Sequence, residues 1–340
     1  MNLTDKKYNQ FGLVRDMMQT PGILAKFDVN QAQETAAAIS KVGRLLLTGE
    51  GSSRIFPAKN MMRLARSRGI STPVLHTEAG RQAQEYQLQD WAVFALSNSG
   101  RTSEVIKLFT DLKAQGHKHL YSLVASAGSK LEALANQGYV LNCGPEGAVA
   151  ATKSVAEQAL FYQALLEHFA GTNTLQARLP ELGRKVEQAL TTTIPAELVG
   201  KITRASTIYF AGRNDGVAEE LTLKTNEITR RKSDFLEGTY AVHGVEEVMD
   251  PNDVVIWIDP YADSEGKFTD VLCKGVGLTV IAISDRDTPF PTIKVPAAGD
   301  LSGYVYMAAG WNLLVEVGTT LGINLDKPTR ARKVGNEFVG

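Results

Sequence analysis

The sequence is poor in cysteine, in net charge and in long apolar runs, and each shortage excludes a class of protein. Only Cys143 and Cys273 occur, with no CxxC pair, so a disulfide scaffold is not supported. The 36 lysines and arginines against 37 aspartates and glutamates give a formal charge of −1 and no basic surface for a nucleic acid or an anionic membrane. No uncharged apolar run reaches the roughly 18 residues that cross a bilayer, and no basic N-terminus leads into an apolar stretch. We therefore expect a cytoplasmic protein that binds neither nucleic acid nor membrane.

Motifs for nucleotide cofactors and metals are also missing. Gly49 and Gly51 would need a third glycine at the position of Arg54 to make a dinucleotide-binding fingerprint, and no GxxxxGK[ST] sequence occurs. His117 and His119 have no cysteine or carboxylate cluster close by in the sequence to complete a metal site. We expect no cofactor and no metal, so an anionic ligand must be held by local groups.

Apolar segments alternate with segments of helical period. The 340 residues, 44% apolar and 21% charged, are too many for one ordinary core, so two domains are expected. Apolar runs without polar alternation suit strands buried on both faces of a parallel sheet. Six such runs occur, at 44–48, 91–96, 119–125, 207–211, 254–258 and 278–283. Helical stretches such as 104–115, which Gly116 ends, lie between them. This alternation predicts an α/β fold of two doubly wound, flavodoxin-like parallel-sheet halves.

Two turns of the first half are rich in small and hydroxyl-bearing residues. The sequence Gly-Glu-Gly-Ser-Ser follows the first predicted strand at 49–53, and Ser-Asn-Ser-Gly-Arg-Thr follows the second at 97–102. At the C-terminal ends of parallel strands, small residues let backbone N–H groups approach an anion and hydroxyls donate to it. Either turn alone also suits a simple helix cap. The turns at 212–216 and 259–263 are acidic and lack such a cluster, so we predict one anion site, in the first half.

The 97–102 turn resembles the SxSGxT signature of the sugar isomerase (SIS) family, and the chain as a whole resembles the isomerase part of glucosamine-6-phosphate synthases. The segment 146–153, EGAVAATK, is similar to the family's connection from the third strand to the helix that follows. A Leu- and Glu-rich stretch separates the halves. We therefore expect an N-terminal helical segment at 1–30, a SIS domain with the phosphate turns at 31–171, a helical connection at 172–198, a second SIS domain with catalytic groups at 199–324, and a tail over the active site at 325–340.

The resemblance implies which residues bind the substrate. Those that match the family's first turn, its phosphate loop and its sugar contacts are Gly51, Ser52, Ser53, Ser97, Asn98, Ser99, Thr102, Val149 and Ala151. Asn98 stands where the family usually has glutamine, and Glu50 replaces a cysteine beside the sugar ring. The sugar end of the pocket is therefore expected to differ from that of the synthases, with Glu50 as a supporting residue.

The helical segment 219–228 carries the candidate base. Glu220, Lys224 and Glu227 share one helix face by their spacing, which alone favours a solvated Glu/Lys pair. The resemblance implies instead that Glu227 moves the proton between C1 and C2 of the open-chain sugar. Glu220 and Lys224 are then its supporting residues.

Two further groups are implied by the resemblance. His243, followed by Gly-Val where the family usually has Gly-Pro, resembles the histidine that opens the sugar ring and often reaches into the neighbouring subunit's site, which implies a homodimer. Imidazole suits this step because it exchanges protons near neutral pH. Lys333 follows an Asp-x-Pro sequence, as in the closing tail of the synthases, and would stabilise charge on the enediolate. Without the resemblance, the basic tail is interpreted as a solvated terminus.

These features lead to one expected activity and two alternatives. Neither cysteine has the context of a glutamine-hydrolysing nucleophile, so transfer of ammonia from glutamine is not expected. We expect a cofactor-independent aldose-ketose isomerase that acts on a hexose 6-phosphate, or a similar phosphorylated or sulfonated sugar, through an enediol(ate). A deaminase or deglycase acting on a 6-phosphorylated amino sugar or glycated amine would use the same chemistry. A non-catalytic sugar-phosphate sensor is the third possibility, although no basic helix-turn-helix accompanies it.

Overall fold

The computed structural model describes residues 1–330, which group into two units. The first-sheet unit consists of residues 22–146 and 151–181, and the second-sheet unit consists of residues 1–21, 147–150 and 182–330. Each unit contains several separate stretches of the chain, whereas the predicted domains are continuous segments. The predicted domain bounds therefore stay predictions. No helix within residues 1–330 combines the length and the apolar character that a membrane span requires.

Each unit contains a five-stranded parallel sheet. The strands β1 to β10, in chain order, are Arg44–Gly49, Val74–Ala79, Ala92–Ser97, Leu120–Val124, Gln137–Val140, Ile208–Gly212, Ser233–Glu237, Val254–Ile258, Thr279–Ser284 and Thr292–Lys294. The first sheet has the order β2-β1-β3-β4-β5, and the second has the order β7-β6-β8-β9-β10. Both are therefore the same doubly wound, flavodoxin-like arrangement, and the predicted fold is confirmed.

The six strands predicted from apolar runs are the three central strands of each sheet. In the first sheet, β1, β3 and β4 are buried along almost their whole length, whereas every residue of the edge strands β2 and β5 is exposed or half-buried. The second sheet repeats this division, with the edge strands β7 and β10 partly exposed. An edge strand has a neighbour on one side only and needs no continuous apolar run, so the sequence pattern did not reveal these four.

Helices connect the strands and cover the sheets. The helices α1 to α13, in chain order, are Lys6–Asn9, Gly12–Ala25, Gln33–Val42, Ile55–Ser67, Gly80–Ala83, Ser103–Ala114, Lys130–Leu134, Lys153–Phe169, Leu175–Thr191, Ala196–Arg204, Val217–Thr229, Glu265–Phe268 and Ser302–Thr320. The predicted helix at 104–115 is α6, and Gly116 after it has a φ of +78°, which suits its predicted role as a stop. A π-helical stretch, Thr269–Val276, continues α12.

Each unit has its own apolar core. In the first-sheet unit, the sheet residues Leu46 and Val93 pack with Ile106 and Phe109 of α6. In the second-sheet unit, the Trp257 ring of β8 stacks on Phe268 with a centroid distance of 3.6 Å. Because neighbouring strands are parallel throughout each sheet, their C-terminal ends, and the turns that follow them, lie at one edge of that sheet.

Candidate functional site

The turn between β3 and α6 is held in shape by its own hydroxyl groups. Ser97 Oγ lies 2.8 Å from Thr102 Oγ1 and accepts the N–H of Gly100 at 3.0 Å. Ser99 Oγ accepts the backbone N–H of the second residue after it at 3.2 Å. Ser97 is buried, whereas Asn98, Ser99 and Thr102 are half-buried. The Ser97 hydroxyl therefore shapes the turn, and Ser99 and Thr102 are its partly exposed hydroxyl residues.

Gly100 is required where it stands. Its φ is +64°, and a Cβ atom there would lie 2.1 Å from Ser129 Oγ. The carbonyl of Gly100 also accepts the N–H of Leu131 at 3.1 Å, which fixes the turn against α7. Because α6 begins at Ser103, the N–H groups of its first turn and the positive end of its dipole lie directly after this loop. The arrangement suits an anion.

The second predicted turn lies beside the first. Strands β1 and β3 are neighbours, with Thr48 paired to Ala95, and a Cβ atom on Gly49 would lie 2.9 Å from the carbonyl oxygens of both Leu96 and Ser53. The 3-10 turn Gly51–Ser53 follows, with Ser52 and Ser53 half-buried. The strand order reverses between β1 and β3, which is where open α/β sheets bind ligands. The structure thus brings the two predicted turns together.

Glu50 lies at the same sheet edge. Its Oε1 accepts the backbone N–H of Arg81 at 3.3 Å. Burial raises the pKa of Glu50, and the nearby charge of Glu104, in the first turn of α6, adds to the rise. Glu50 therefore places a carboxyl group at the sheet edge that also carries the Ser97–Thr102 turn.

The segment at 146–153 is reached by a longer path than the sequence indicated. Helix α7 and the edge strand β5 lie between the third predicted strand and this segment, so the segment connects β5 to α8 and the expected connection from the third predicted strand was wrong. Within the first-sheet unit, Glu146 Oε1 accepts the N–H of Thr152 and of Ser154, both at 2.9 Å. Glu146 therefore caps α8, while Ala151 beside it is half-buried.

The equivalent edge of the second sheet is closed by an ion pair. Arg213, after β6, lies 2.5 Å from Asp259 Oδ2, after β8, and its guanidinium stacks over the Tyr261 ring at 4.3 Å. Asp259 has a φ of +46°, unusual for a residue other than glycine. At this edge of the second sheet, side chains of opposite charge therefore form an ion pair, whereas the equivalent edge of the first sheet carries hydroxyl residues and small side chains. This supports a single anion site, in the first-sheet unit.

Helix α11 of the second-sheet unit carries the predicted Glu220, Lys224 and Glu227 triad. Lys224 Nζ lies 3.3 Å from Glu220 Oε1 and 2.6 Å from Glu227 Oε2. The side chains of Glu220 and Lys224 are completely buried, and that of Glu227 is 29% exposed. Burial alone would lower the pKa of Lys224, but the two carboxylates outweigh it and raise the pKa above its usual range. The spacing alone favours a solvated Glu/Lys pair, but Lys224 and Glu220 are buried instead. The buried Lys224 ammonium holds the partly exposed Glu227 carboxylate in place.

The loop after β7 carries the predicted histidine. His243 is exposed, and its Nε2 lies 3.3 Å from Thr239 Oγ1. The same loop exposes two large apolar side chains, Tyr240 at 55% and Val248 at 76%. Gly244, at the position after the histidine, has a φ of +104°, so the loop follows a path that glycine permits even though the usual proline is absent.

Three structural residues were missed by sequence reasoning. Asp16 accepts the N–H of Gly147 at 2.5 Å, and Asp326 accepts two N–H groups at the start of α2. Arg230, at the end of α11, donates to the carbonyl of Asn324 at 2.8 Å. Each contact joins residues about a hundred or more positions apart, and short-range spacing gives no signal for such pairs. The predicted Val149 is half-buried in the same region, and Lys333 lies outside the described residues.

Comparison with known proteins identifies a known domain in the first half of the chain. Residues 38–168 match the family model of the SIS domain. A glutamine–fructose-6-phosphate aminotransferase (isomerizing) from Aeropyrum pernix is 26% identical over 322 residues, which cover 88% of this chain and 52% of that protein. The chain therefore spans about half the length of this curated relative.

Solved structures share the fold. A tagatose-6-phosphate ketose/aldose isomerase from Escherichia coli aligns with a TM-score of 0.77 at 15% identity, over 96% of this chain and 99% of that one. A glucosamine-6-phosphate deaminase from Thermotoga maritima aligns with a TM-score of 0.74 at 18% identity, over 96% and 99% of the two chains. At these identities the likeness shows the fold alone. The matched residues 38–168 span the strands and turns of the first sheet, so this part of the chain is a SIS domain.

Proposed function

We propose that this protein is an aldose-ketose isomerase for a hexose 6-phosphate or a similar anionic sugar, working through an enediol(ate) intermediate. The observation that carries the proposal is the Glu227 carboxylate, which is partly exposed and held 2.6 Å from the buried Lys224 ammonium. A base that moves a proton between adjacent carbons must keep one position through both transfers, and a buried ionic partner fixes it. The SIS domain and its phosphate turn support the substrate class.

In the proposed reaction, each group has one task. Ser99 and Thr102, with Ser52 or Ser53, bind the anionic group. His243 passes a proton to the ring oxygen as the hydroxyl at C1 loses one, which opens the ring. Glu227 then removes the proton from C2 to give the enediolate and returns it to C1, while the hydroxyl proton of O2 moves to O1, so that C2 becomes the carbonyl and no atom is gained or lost. The backbone of Val149 contacts the sugar, and Lys333 in the tail stabilises the enediolate.

We propose further that the protein acts as a homodimer in which His243 serves the partner's site. The exposed Tyr240 and Val248 on the histidine loop support this, because large apolar side chains are commonly covered at subunit interfaces. Mixing an inactive His243→Asn variant with an inactive Glu227→Gln variant should then restore part of the activity in hybrid dimers. Full activity in a protein that stays monomeric at micromolar concentration would refute the dimer.

The activity is tested with a panel of sugar 6-phosphates, amino-sugar 6-phosphates and sugar sulfonates in deuterated water. An isomerase interconverts a sugar pair and incorporates deuterium at the reacting carbons. Glu227→Gln should abolish this exchange while binding stays nearly intact, since the amide keeps the shape but cannot take the proton. Glu219→Gln, on the same helix, is the matched control and should exchange normally.

Each other outcome contradicts a specific part of the proposal. Release of ammonia or of an amine would show a deaminase or deglycase. Binding of a sugar phosphate without exchange would show a sensor. Deuterium exchange that survives in Glu227→Gln would refute the role of this carboxylate.

A further inference from the structure

Asn324, Leu325 and Asp326, here called the tail base, connect three parts of the second-sheet unit. The two carboxylate oxygens of Asp326 accept the N–H groups of Gly12 and Leu13, each at 2.8 Å. These are the first two residues of α2, so Asp326 caps a helix that lies more than 300 positions away in the chain. One carboxylate oxygen serves each N–H, and no uncharged side chain of this size offers two acceptors in the same places.

The same contact region holds the segment 147–149. The backbone N–H of Val149 donates to the carbonyl of Asp326 at 3.4 Å, and the N–H of Gly147 donates to Asp16 Oδ2 at 2.5 Å. Gly12 and Gly147 meet backbone to backbone, since a Cβ atom on Gly12 would lie 3.1 Å from the carbonyl carbon and oxygen of Gly147. The start of α2 and the tail base therefore fix this segment together.

The tail base also holds the end of helix α11. Arg230, with a φ of +57°, donates to the carbonyl of Asn324 at 2.8 Å and to that of Ile228 at 2.9 Å, and also to the carbonyl of Glu227. Leu325 is 1% exposed and packs so closely on Gly318 of α13 that a Cβ atom there would lie 2.5 Å from its Cδ2. The last turn of α11 is thus tied to the residues that anchor 147–149.

We propose that Asp326 is a positioning residue, which sets the backbone of Val149 relative to the Glu227-bearing end of α11. This rests on the proposed function, in which Val149 contacts the sugar and Glu227 moves the proton. Asp326 touches neither substrate nor reacting atoms. Its carboxylate fixes the tail base to the start of α2. The carbonyl of Asp326 accepts the N–H of Val149, and the carbonyl of Asn324 accepts a hydrogen bond from the Arg230 guanidinium. A displacement of about 1 Å at such a point costs up to about a hundredfold in rate.

The test compares Asp326→Asn and Asp326→Ala with wild type, using whichever sugar of the panel the wild type turns over. We expect kcat/KM to fall about ten- to a hundredfold in Asp326→Ala, with faster deuterium exchange of the backbone amides in 147–150. Asp326→Asn keeps one acceptor and turns an NH₂ donor toward the other N–H, so it should lie between the two. If Asp326→Ala fails to fold, Asp326→Asn still tests the proposal.

Two control variants separate positioning from stability. Asp5→Ala removes a cap of the same kind in the same unit, because Asp5 Oδ1 accepts the N–H of Lys7 at 2.8 Å, far along the chain from the tail base. Ile202→Val lowers stability by removing one buried methylene. Both should keep kcat/KM within about twofold of wild type and leave amide exchange in 147–150 unchanged.

The outcomes distinguish this proposal from the proposed function. If the Asp326 variants keep kcat/KM within twofold of wild type, or leave amide exchange in 147–150 unchanged, the positioning role is wrong and the isomerase is not affected. If the wild type turns over no sugar of the panel, the proposed function fails, and the positioning role fails with it.

Discussion

Replacing Lys224 with methionine removes the cation that two carboxylates share inside the second-sheet unit. Lys224 Nζ lies 3.3 Å from Glu220 and 2.6 Å from Glu227, and both Lys224 and Glu220 are completely buried. Methionine keeps an unbranched side chain of similar length, so the change removes the charge with little loss of packing. What remains is a buried carboxylate without its cation and a second one that is 29% exposed.

The structure sets the expected size of the effect. Breaking a buried ion pair by removing one partner costs about 3–5 kcal/mol of unfolding free energy, because the remaining charge stays desolvated. Protonation removes that charge, so the loss in Lys224→Met should be largest near pH 8 and smaller near pH 5. In the wild type, the raised pKa of Lys224 means that its contribution is fully present below about pH 10.4 and is lost as the pH rises further.

The assay is urea unfolding at pH 5 and pH 8, followed by tryptophan fluorescence. A Trp91→Phe background leaves Trp257 and Trp311, both buried in the second-sheet unit, as the reporters. The double variant Lys224→Met with Glu220→Gln is the matched control, since it removes the uncompensated charge and should recover more than half of the lost stability. A loss below about 1 kcal/mol at both pH values, or no recovery in the double variant, would refute the electrostatic role of Lys224.

Three further predictions concern the first-sheet unit. Ser99→Ala combined with Thr102→Ala should weaken binding of the phosphorylated sugar by about 1–3 kcal/mol in calorimetry, and unchanged affinity would contradict the anion site. Gly100→Ala should lose about 1–3 kcal/mol of stability and more than Gly116→Ala, because both have positive φ but only Gly100 lies against Ser129; equal losses would argue against the close contact. Burial raises the pKa of Glu167, but hydrogen bonds from the N–H groups of Thr174 and Leu175 and the Thr174 hydroxyl outweigh this and leave it below the usual range. Glu167→Gln should therefore cost about 1–3 kcal/mol at pH 7 and progressively less as the pH falls below about 4, and a loss independent of pH would contradict the carboxylate's role.

The sequence determined the central strands and the chemistry of the turns. Each central strand is buried on both faces, so selection of apolar residues along its whole length is visible without any structure. The Ser97–Thr102 turn was visible for a similar reason, because its glycine and hydroxyl residues act within six positions of one another. The edge strands β2, β5, β7 and β10 were missed because partial exposure leaves them no such pattern.

Tertiary structure alone decided the environment of the candidate catalytic groups. The i, i+4, i+7 spacing placed Glu220, Lys224 and Glu227 on one helix face, but spacing does not say whether that face meets water or protein. Helix α11 packs against α13, and Lys224 and Glu220 of α11 are buried. The tail-base contacts of Asp326 likewise depend on residues more than three hundred positions apart. Short-range periodicity predicts secondary structure, whereas burial and long-range hydrogen bonds form only when distant segments of the chain pack together.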